Sequence, residues 1–293
     1  GMANAMEGLA GLETRLGNLD SARALYGEAI GIFKAVMNRL GMANALKGLA
    51  DLEARLGNLD SARALYGQAI DHFKAVQNRL GMANAMTGLA DLETLLGNLD
   101  IASALYGEAI GHFKAVQSRL GMANALEGLA GLEARLGNLD SARALYGEAI
   151  DHFKAVRERL GMANALGGLA GLEAWLGNLD SARALYGEAI DHFKAVQDDR
   201  GLTYVKLSLG NITEEVASAS RLLEEAAQTF EKIQDPIGLA QSLAFIALNL
   251  HKSGQEAQRD QFYGQAVAAA HASHSPYLIA FVEDIGRHWG ANS

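Results

Sequence analysis

Four histidines, His72, His112, His152 and His192, recur every 40 residues, and three of them directly follow an aspartate (Asp71, Asp151, Asp191). Histidine beside carboxylate is a pairing that binds zinc or moves protons near neutral pH. A shared metal site fails on distance, because one zinc needs every ligand about 2 Å away, while the axes of packed neighbouring helices lie roughly 8–10 Å apart. The histidines therefore read as exposed residues on a repeated helix surface. A recurring acid, Glu13, Glu53, Glu93, Glu133 and Glu173, reads as the ion-pair partner of Arg63 and its equivalents. Ser103 stands at one of those arginine positions, so at least one glutamate needs another partner. The chain has no cysteine, which removes thiol nucleophiles, disulfides, zinc knuckles and iron–sulfur clusters. HExxH, GxSxG and a phosphate-binding glycine loop ending in Lys-Ser/Thr are absent too. No catalytic residue, cofactor or metal is expected.

The elements that hold these residues follow from repetition. Gly1, Gly41, Gly81, Gly121 and Gly161 each open the string GMANA, so residues 1–200 hold five near-identical copies of 40 residues. Repetition at this period marks a solenoid whose units pack mainly on their neighbours. Two degenerate copies fill 201–275, recognised by matching HFKAVQNRLG (72–81) to TFEKIQDPIG (229–238) and LYGQA (65–69) to FYGQA (262–266). The segment 276–293 begins at Pro276 and puts Leu278, Phe281, Val282, Ile285 and Trp289 on one helical stripe. Such a stripe suits a helix that covers the open face of the final pair; the alternative is an anchor for a following domain or partner chain. Gly1 begins inside the repeat phase, as a piece cut from a longer array would.

Within the second copy, Met42, Leu46, Leu49, Leu52 and Leu56 step by three and four, which predicts a first helix over 40–56. Gly57 supplies a residue tolerant of positive φ after the helix end, and Asp60 offers a carboxylate to the free amides of the next helix. That second helix is expected over 61–77, with Ala62, Leu65, Tyr66, Ala69, Ile70 and Phe73 on its buried side, and NRLG closes the copy. Two helices joined by so short a turn lie antiparallel. Gly48 and Gly67, with Ala62 and Ala69, read as small residues that let backbones approach, although each helical glycine costs about 1 kcal/mol against alanine. Pro236 and Pro276 are the only prolines, which suits an all-α chain.

The order Leu49, Ala50, Gly57, Ala62, Tyr66, Ala69 resembles the tetratricopeptide repeat. Its period is similar to that of the longer-period subfamily found in kinesin light chains, spindle-orientation adaptors, and the sensor regions of bacterial transcription regulators and signalling NTPases. The resemblance implies a right-handed superhelix of about seven helix pairs plus a C-terminal capping helix, with the first helices lining a concave groove. Glu53 and its equivalents depart from the pattern, which usually keeps an aromatic or small residue there.

Differences among the copies gather on the first helix at Glu7/Lys47/Thr87/Glu127/Gly167, at Gly11/Asp51/Asp91/Gly131/Gly171, and at Arg15/Arg55/Leu95/Arg135/Trp175. Spaced i, i+4 and i+8, they form one stripe facing away from the leucines. Ahead of it stand the unvarying Asn4, Asn44, Asn84, Asn124 and Asn164. By resemblance, these asparagines grip the backbone of an extended peptide, and Lys47, Asp51, Asp91, Arg55, Arg135 and Trp175 select its side chains. An amide that donates and accepts suits a peptide unit of any sequence. Against this stands free drift of exposed residues, with asparagine merely capping or packing near the helix start. The second helix also varies, at Gly31/Asp71/Gly111/Asp151/Asp191. The family's clamp for a C-terminal carboxylate is not reproduced, since only Lys47 matches its lysine and Asp51 replaces its asparagine.

The net charge of −9 includes no strongly basic stretch, which disfavours nucleic acid as a partner. No apolar run approaches the roughly 20 residues that span a bilayer, and no signal peptide opens the chain. A soluble, cytoplasmic protein without membrane contact is expected. The function expected is a non-catalytic scaffold that binds a protein or peptide segment in its groove. The alternative is the sensor or autoinhibitory arm of a larger signalling protein, an NTPase, protease or transcription regulator. End-to-end self-association through the first copy is also expected.

Overall fold

A computed structural model describes residues 1–290. Among these the chain is all helical, with fifteen α-helices, one 3-10 turn and no strand. It divides into two compact units, residues 1–158 and residues 159 onward. The first holds α1 (Met2–Leu16), α2 (Leu19–Ala35), α3 (Arg39–Arg55), α4 (Leu59–Ala75), α5 (Arg79–Leu95), α6 (Leu99–Ala115), α7 (Arg119–Arg135) and α8 (Leu139–Val156). The second holds α9 (Arg159–Trp175), α10 (Leu179–Val196), α11 (Asp199–Asn211), α12 (Val216–Lys232), α13 (Pro236–Lys252), α14 (Glu256–Ala272) and α15 (Pro276–Gly286). Each copy is a helix pair, and within each unit a second helix packs on the first helix of the next copy.

The helix ends differ from those expected. NRLG does not close a copy; it opens the next, because the Asn38 and Asn78 side chains accept the amides of Gly41 and Gly81 at 3.0 and 2.8 Å and so cap α3 and α5. Asp60 does not cap α4, which begins two residues earlier than expected after Asn58. The Asn58 side chain instead donates to Glu53 at 2.6 Å. Gly57 does take the left-handed conformation at φ 79°. The turn into the next copy is made by Gln77 at φ 53°, where sequence offers no glycine.

Packing accounts for one set of helical glycines and not the other. A Cβ on Gly48 would lie 2.7 Å from the Tyr26 ring, and one on Gly88 2.8 Å from Tyr66, so each tyrosine lies directly against the following first helix. Gly81 and Gly121 stand against Phe73 and Phe113 in the same way. Around Gly67 a Cβ would meet nothing, and the close approach expected there does not occur. Ala43, Ala50, Ala62 and Ala69 are fully buried and, with Leu46, Tyr66 and Phe73, form the core of the second copy, while Ala45 and Leu52 pack back into the core of the first. Leu56 stays exposed, because the helix ends before it.

Glu53 and Glu93 do pair with arginine, one copy back. Arg23 grips Glu53 through two bonds of 2.6 and 2.9 Å, and Arg63 grips Glu93 at 2.5 and 2.6 Å. Each ion pair thus ties a second helix to the following first helix, and the arginine holds its carboxylate below the ordinary range. Ser103 removes the arginine that would face Glu133, which has Asn138 at 2.7 Å and is half-buried where Glu53 and Glu93 are buried.

At the C-terminal end α15 packs on α13 and α14 through Leu278, Val282 and Ile285. Trp289 lies in the following 3-10 turn, and residues 291–293 of the expected capping segment lie outside the described residues. On α1, Leu9, Leu12 and Leu16 are exposed, although Leu49 and Leu52, the counterparts of the first two, are half-buried and buried. Among the described residues no helix is long and apolar enough to cross a membrane.

Candidate functional site

The first helices of the first unit, α1, α3, α5 and α7, stand side by side. Asn4, Asn44, Asn84 and Asn124 occupy the same register on each and are exposed. Among the described residues none of their amides has a side-chain hydrogen bond within the chain, so none of them caps a helix. Asn44 and Asn84 line a groove of about 500 Å³ together with Glu7, Arg15, Lys47 and Asp51. Its floor is glycine and aromatic, with Gly8, Gly11, Gly48 and Gly81 beside Tyr26 and Phe73. Small floor residues leave the backbone level low and make the depression.

The buried tyrosines hold the groove's charged residues in place. Tyr66 donates to Asp51 at 2.6 Å, Lys47 reaches the other oxygen of Asp51 at 2.7 Å, and Tyr106 donates to Asp91. A tyrosine buried for its ring needs a partner for its hydroxyl, and the variable stripe supplies it. Burial first, then the nearby Asp51 for Tyr66 and Asp91 for Tyr106, raises the tyrosine pKa values, so both hydroxyls stay protonated donors. Desolvation and Asp51 push Asp91 above its ordinary value. Glu127 is pushed up to about 7, by burial first and then by Asp91 and Glu158. Tyr146 is in turn pushed up to about 12 by burial and Glu127.

The expected site residues are not one set. Asn44, Asn84, Lys47 and Asp51 meet in the groove, and Asp91 lies one helix further on. Arg55 and Arg135 point elsewhere: their guanidinium groups donate to the Thr14 and Thr94 carbonyls at 3.3 and 3.1 Å, tying neighbouring first helices together. Leu95 has no such bond to offer and is 68% exposed. Asn164 and Trp175 belong to α9 in the second unit, both exposed. In that unit the asparagine register continues as Tyr204, whose hydroxyl is bound to Asp235 at 2.9 Å, and Gln241. Glu7 and Arg15 join the groove although sequence reasoning did not select them. Their position in the variable stripe was the available signal.

The histidines expected at the surface are half-buried, and His152 lies 3.8 Å from Glu148. Among the described residues no group of three or more His, Asp or Glu could hold a metal ion.

The sequence pattern of the tetratricopeptide repeat matches residues 1–75, 41–115, 81–155 and 121–195. No curated protein sequence matches the chain. Solved structures do. The apo form of RapI is 13% identical with a TM-score of 0.74, over 91% of this chain and 97% of that one. A Rap conjugation gene regulator of the plasmid pLS20, in complex with a peptide, is 15% identical with a TM-score of 0.70, over 98% and 76%. A signal transduction ATPase with a tetratricopeptide repeat sensor from Pyrococcus horikoshii is 17% identical with a TM-score of 0.73, over 96% of this chain and 43% of that one. At these identities the likeness is one of fold.

Proposed function

Since the chain belongs to the tetratricopeptide repeat family, we propose that it is a non-catalytic scaffold whose first helices hold an extended segment of a partner protein. One observation carries the reading. Asn44, Asn84 and Asn124 recur in register on adjacent helices, exposed and without hydrogen-bond partners among the described residues, and the first two line a groove of about 500 Å³. Each amide has a donor and an acceptor to offer a peptide unit, and Lys47 and Asp51, held by Tyr66, add charge at a fixed place. A rigid polar surface of this kind loses little entropy when a strand settles on it.

The test is capture from cell extract by the full chain, with the Asn44→Ala, Asn84→Ala and Asn124→Ala triple variant as control. With each lost hydrogen bond contributing about 0.5–1.5 kcal/mol, captured ligands should weaken by roughly 10- to 1000-fold while the fold survives. Unchanged affinity in a folded triple variant refutes the groove assignment.

The second reading, a sensor arm of a larger signalling protein, draws support from the likeness to the ATPase's tetratricopeptide repeat sensor. It uses the same groove with the ligand acting on an attached effector. A nucleotide-binding or protease domain in the full reading frame would favour it.

A further inference from the structure

A second groove lies in the other unit, on different surfaces. Its volume is about 890 Å³, and three helical stripes build it: Leu239, Leu243 and Ile246 of α13 as floor, Ala227 with Glu224, Gln228 and Glu231 of α12 as one wall, and Phe262, Gln265, Ala268, Ala269 and Ala272 of α14 as the other. The first unit provides an internal comparison. Aligned on the glycines that meet Phe113 and Phe230, Gly121 and Gly238, the place of Ala227 is taken by Ile110, that of Glu231 by Lys114, and that of Ala268 and Ala269 by Asp151 and His152. The corresponding cavity between α6, α7 and α8 touches α7 only near its first turn, at Arg119, Leu120 and Met122. In the second unit, where alanines replace the isoleucine, aspartate and histidine, the trough runs along two turns of α13, about 10 Å, from Leu239 to Ile246. The exchange of lysine for glutamate also reverses the charge of its rim.

We propose that this trough is a docking site for an amphipathic helix of a partner protein, with apolar residues one turn apart inserted over Leu243 and a lysine or arginine flank against α12. Three stripes with helical spacing fit a helix rather than a strand, because anchors at i, i+4 and i+7 match the floor. The charge complement fixes the flank. Glu224 and Glu231 are exposed, neither has a cationic partner among the described residues, and no basic residue lines the trough. Alanines at 268, 269 and 272 let the incoming helix approach closely, as small residues do inside the chain's own repeats.

The experiment uses the full chain and a labelled, designed helical peptide of about 18 residues, with leucines at the anchor spacing and lysines along one flank, beside a twin carrying glutamates there. Fluorescence anisotropy should give micromolar binding of the lysine peptide, and at least tenfold weaker binding of the glutamate twin. Ala268→Asp with Ala269→His restores the pair found in three other copies, which keep the fold, and should cut binding at least tenfold. Glu224→Lys with Glu231→Lys should reverse the preference between the peptides. The triple asparagine variant should bind as the parent does. Equal binding of the two peptides, or undiminished binding after refilling the trough, overturns the proposal. So does a dimer of the chain that dissociates when the trough is refilled, which would make a second copy the occupant.

Discussion

Gly88 is where packing and the groove meet, and Gly88→Ala tests both. A methyl there would stand 2.8 Å from both Cε1 and the hydroxyl of Tyr66, well inside van der Waals contact. Tyr66 is 3% exposed, so its ring has to shift against its packed neighbours and its 2.6 Å bond to Asp51 is lost. Overpacking of this kind costs about 1–3 kcal/mol, and a lost hydrogen bond about 0.5–1.5 kcal/mol more. Alanine's helix propensity returns about 1 kcal/mol. The net expectation is a loss of roughly 1–3 kcal/mol. Gly107→Ala is the control: nothing lies within 4 Å of its Cβ, so only the propensity remains, a gain of about 1 kcal/mol. Because a repeat array need not unfold in one step, amide hydrogen exchange of α3–α6 is the assay, read segment by segment. Freed of Tyr66, Asp51 should also loosen Lys47, so groove binding should fall in Gly88→Ala and stay unchanged in Gly107→Ala. Equal exchange in the two variants would refute the claim that tyrosine packing requires this glycine.

Glu127, with its carboxyl at about 7 against 4.5 in the unfolded chain, keeps its proton longer when folded, so its contribution to stability falls as pH rises from about 4.5 to 7. Glu127→Gln should stabilise the first unit by on the order of 2 kcal/mol at pH 8 and by nothing at pH 4, measured by urea denaturation at the two values. The depressed carboxylates Glu53 and Glu93 act in the opposite window: their contribution, present above the ordinary glutamate range, is lost as pH falls through their folded values. Ser103→Arg should give Glu133 the arginine that Glu53 and Glu93 have and raise the melting temperature, measured by differential scanning calorimetry. The exposed Leu9, Leu12 and Leu16 should make this chain associate as concentration rises, and Leu12→Glu with Leu16→Glu should suppress it in sedimentation velocity.

The repeats were legible without coordinates, because the period of 40 residues and the three- and four-residue steps of Met42, Leu46, Leu49 and Leu52 depend only on local helix geometry. The left-handed Gly57 followed from the same source, a backbone that only glycine enters freely. Local signals failed where two explanations compete for one residue. Asp60 looks like the cap of α4, but the helix starts earlier, after Asn58, whose amide goes to a Glu53 that Arg23 has fixed from the previous copy. Gly48 and Gly67 are the same residue in the same kind of helix, and only the position of the neighbouring tyrosine ring separates the one that must be glycine from the one that need not be. The variable stripe showed where difference gathers. That Arg55 ties helices while Lys47 and Asp51 edge a groove is a matter of which neighbour lies within reach. Sequence periodicity sets which face of a helix is apolar; the distance between helices, set by every side chain packed between them, decides which polar groups on the other face are left without a partner and so remain free to bind.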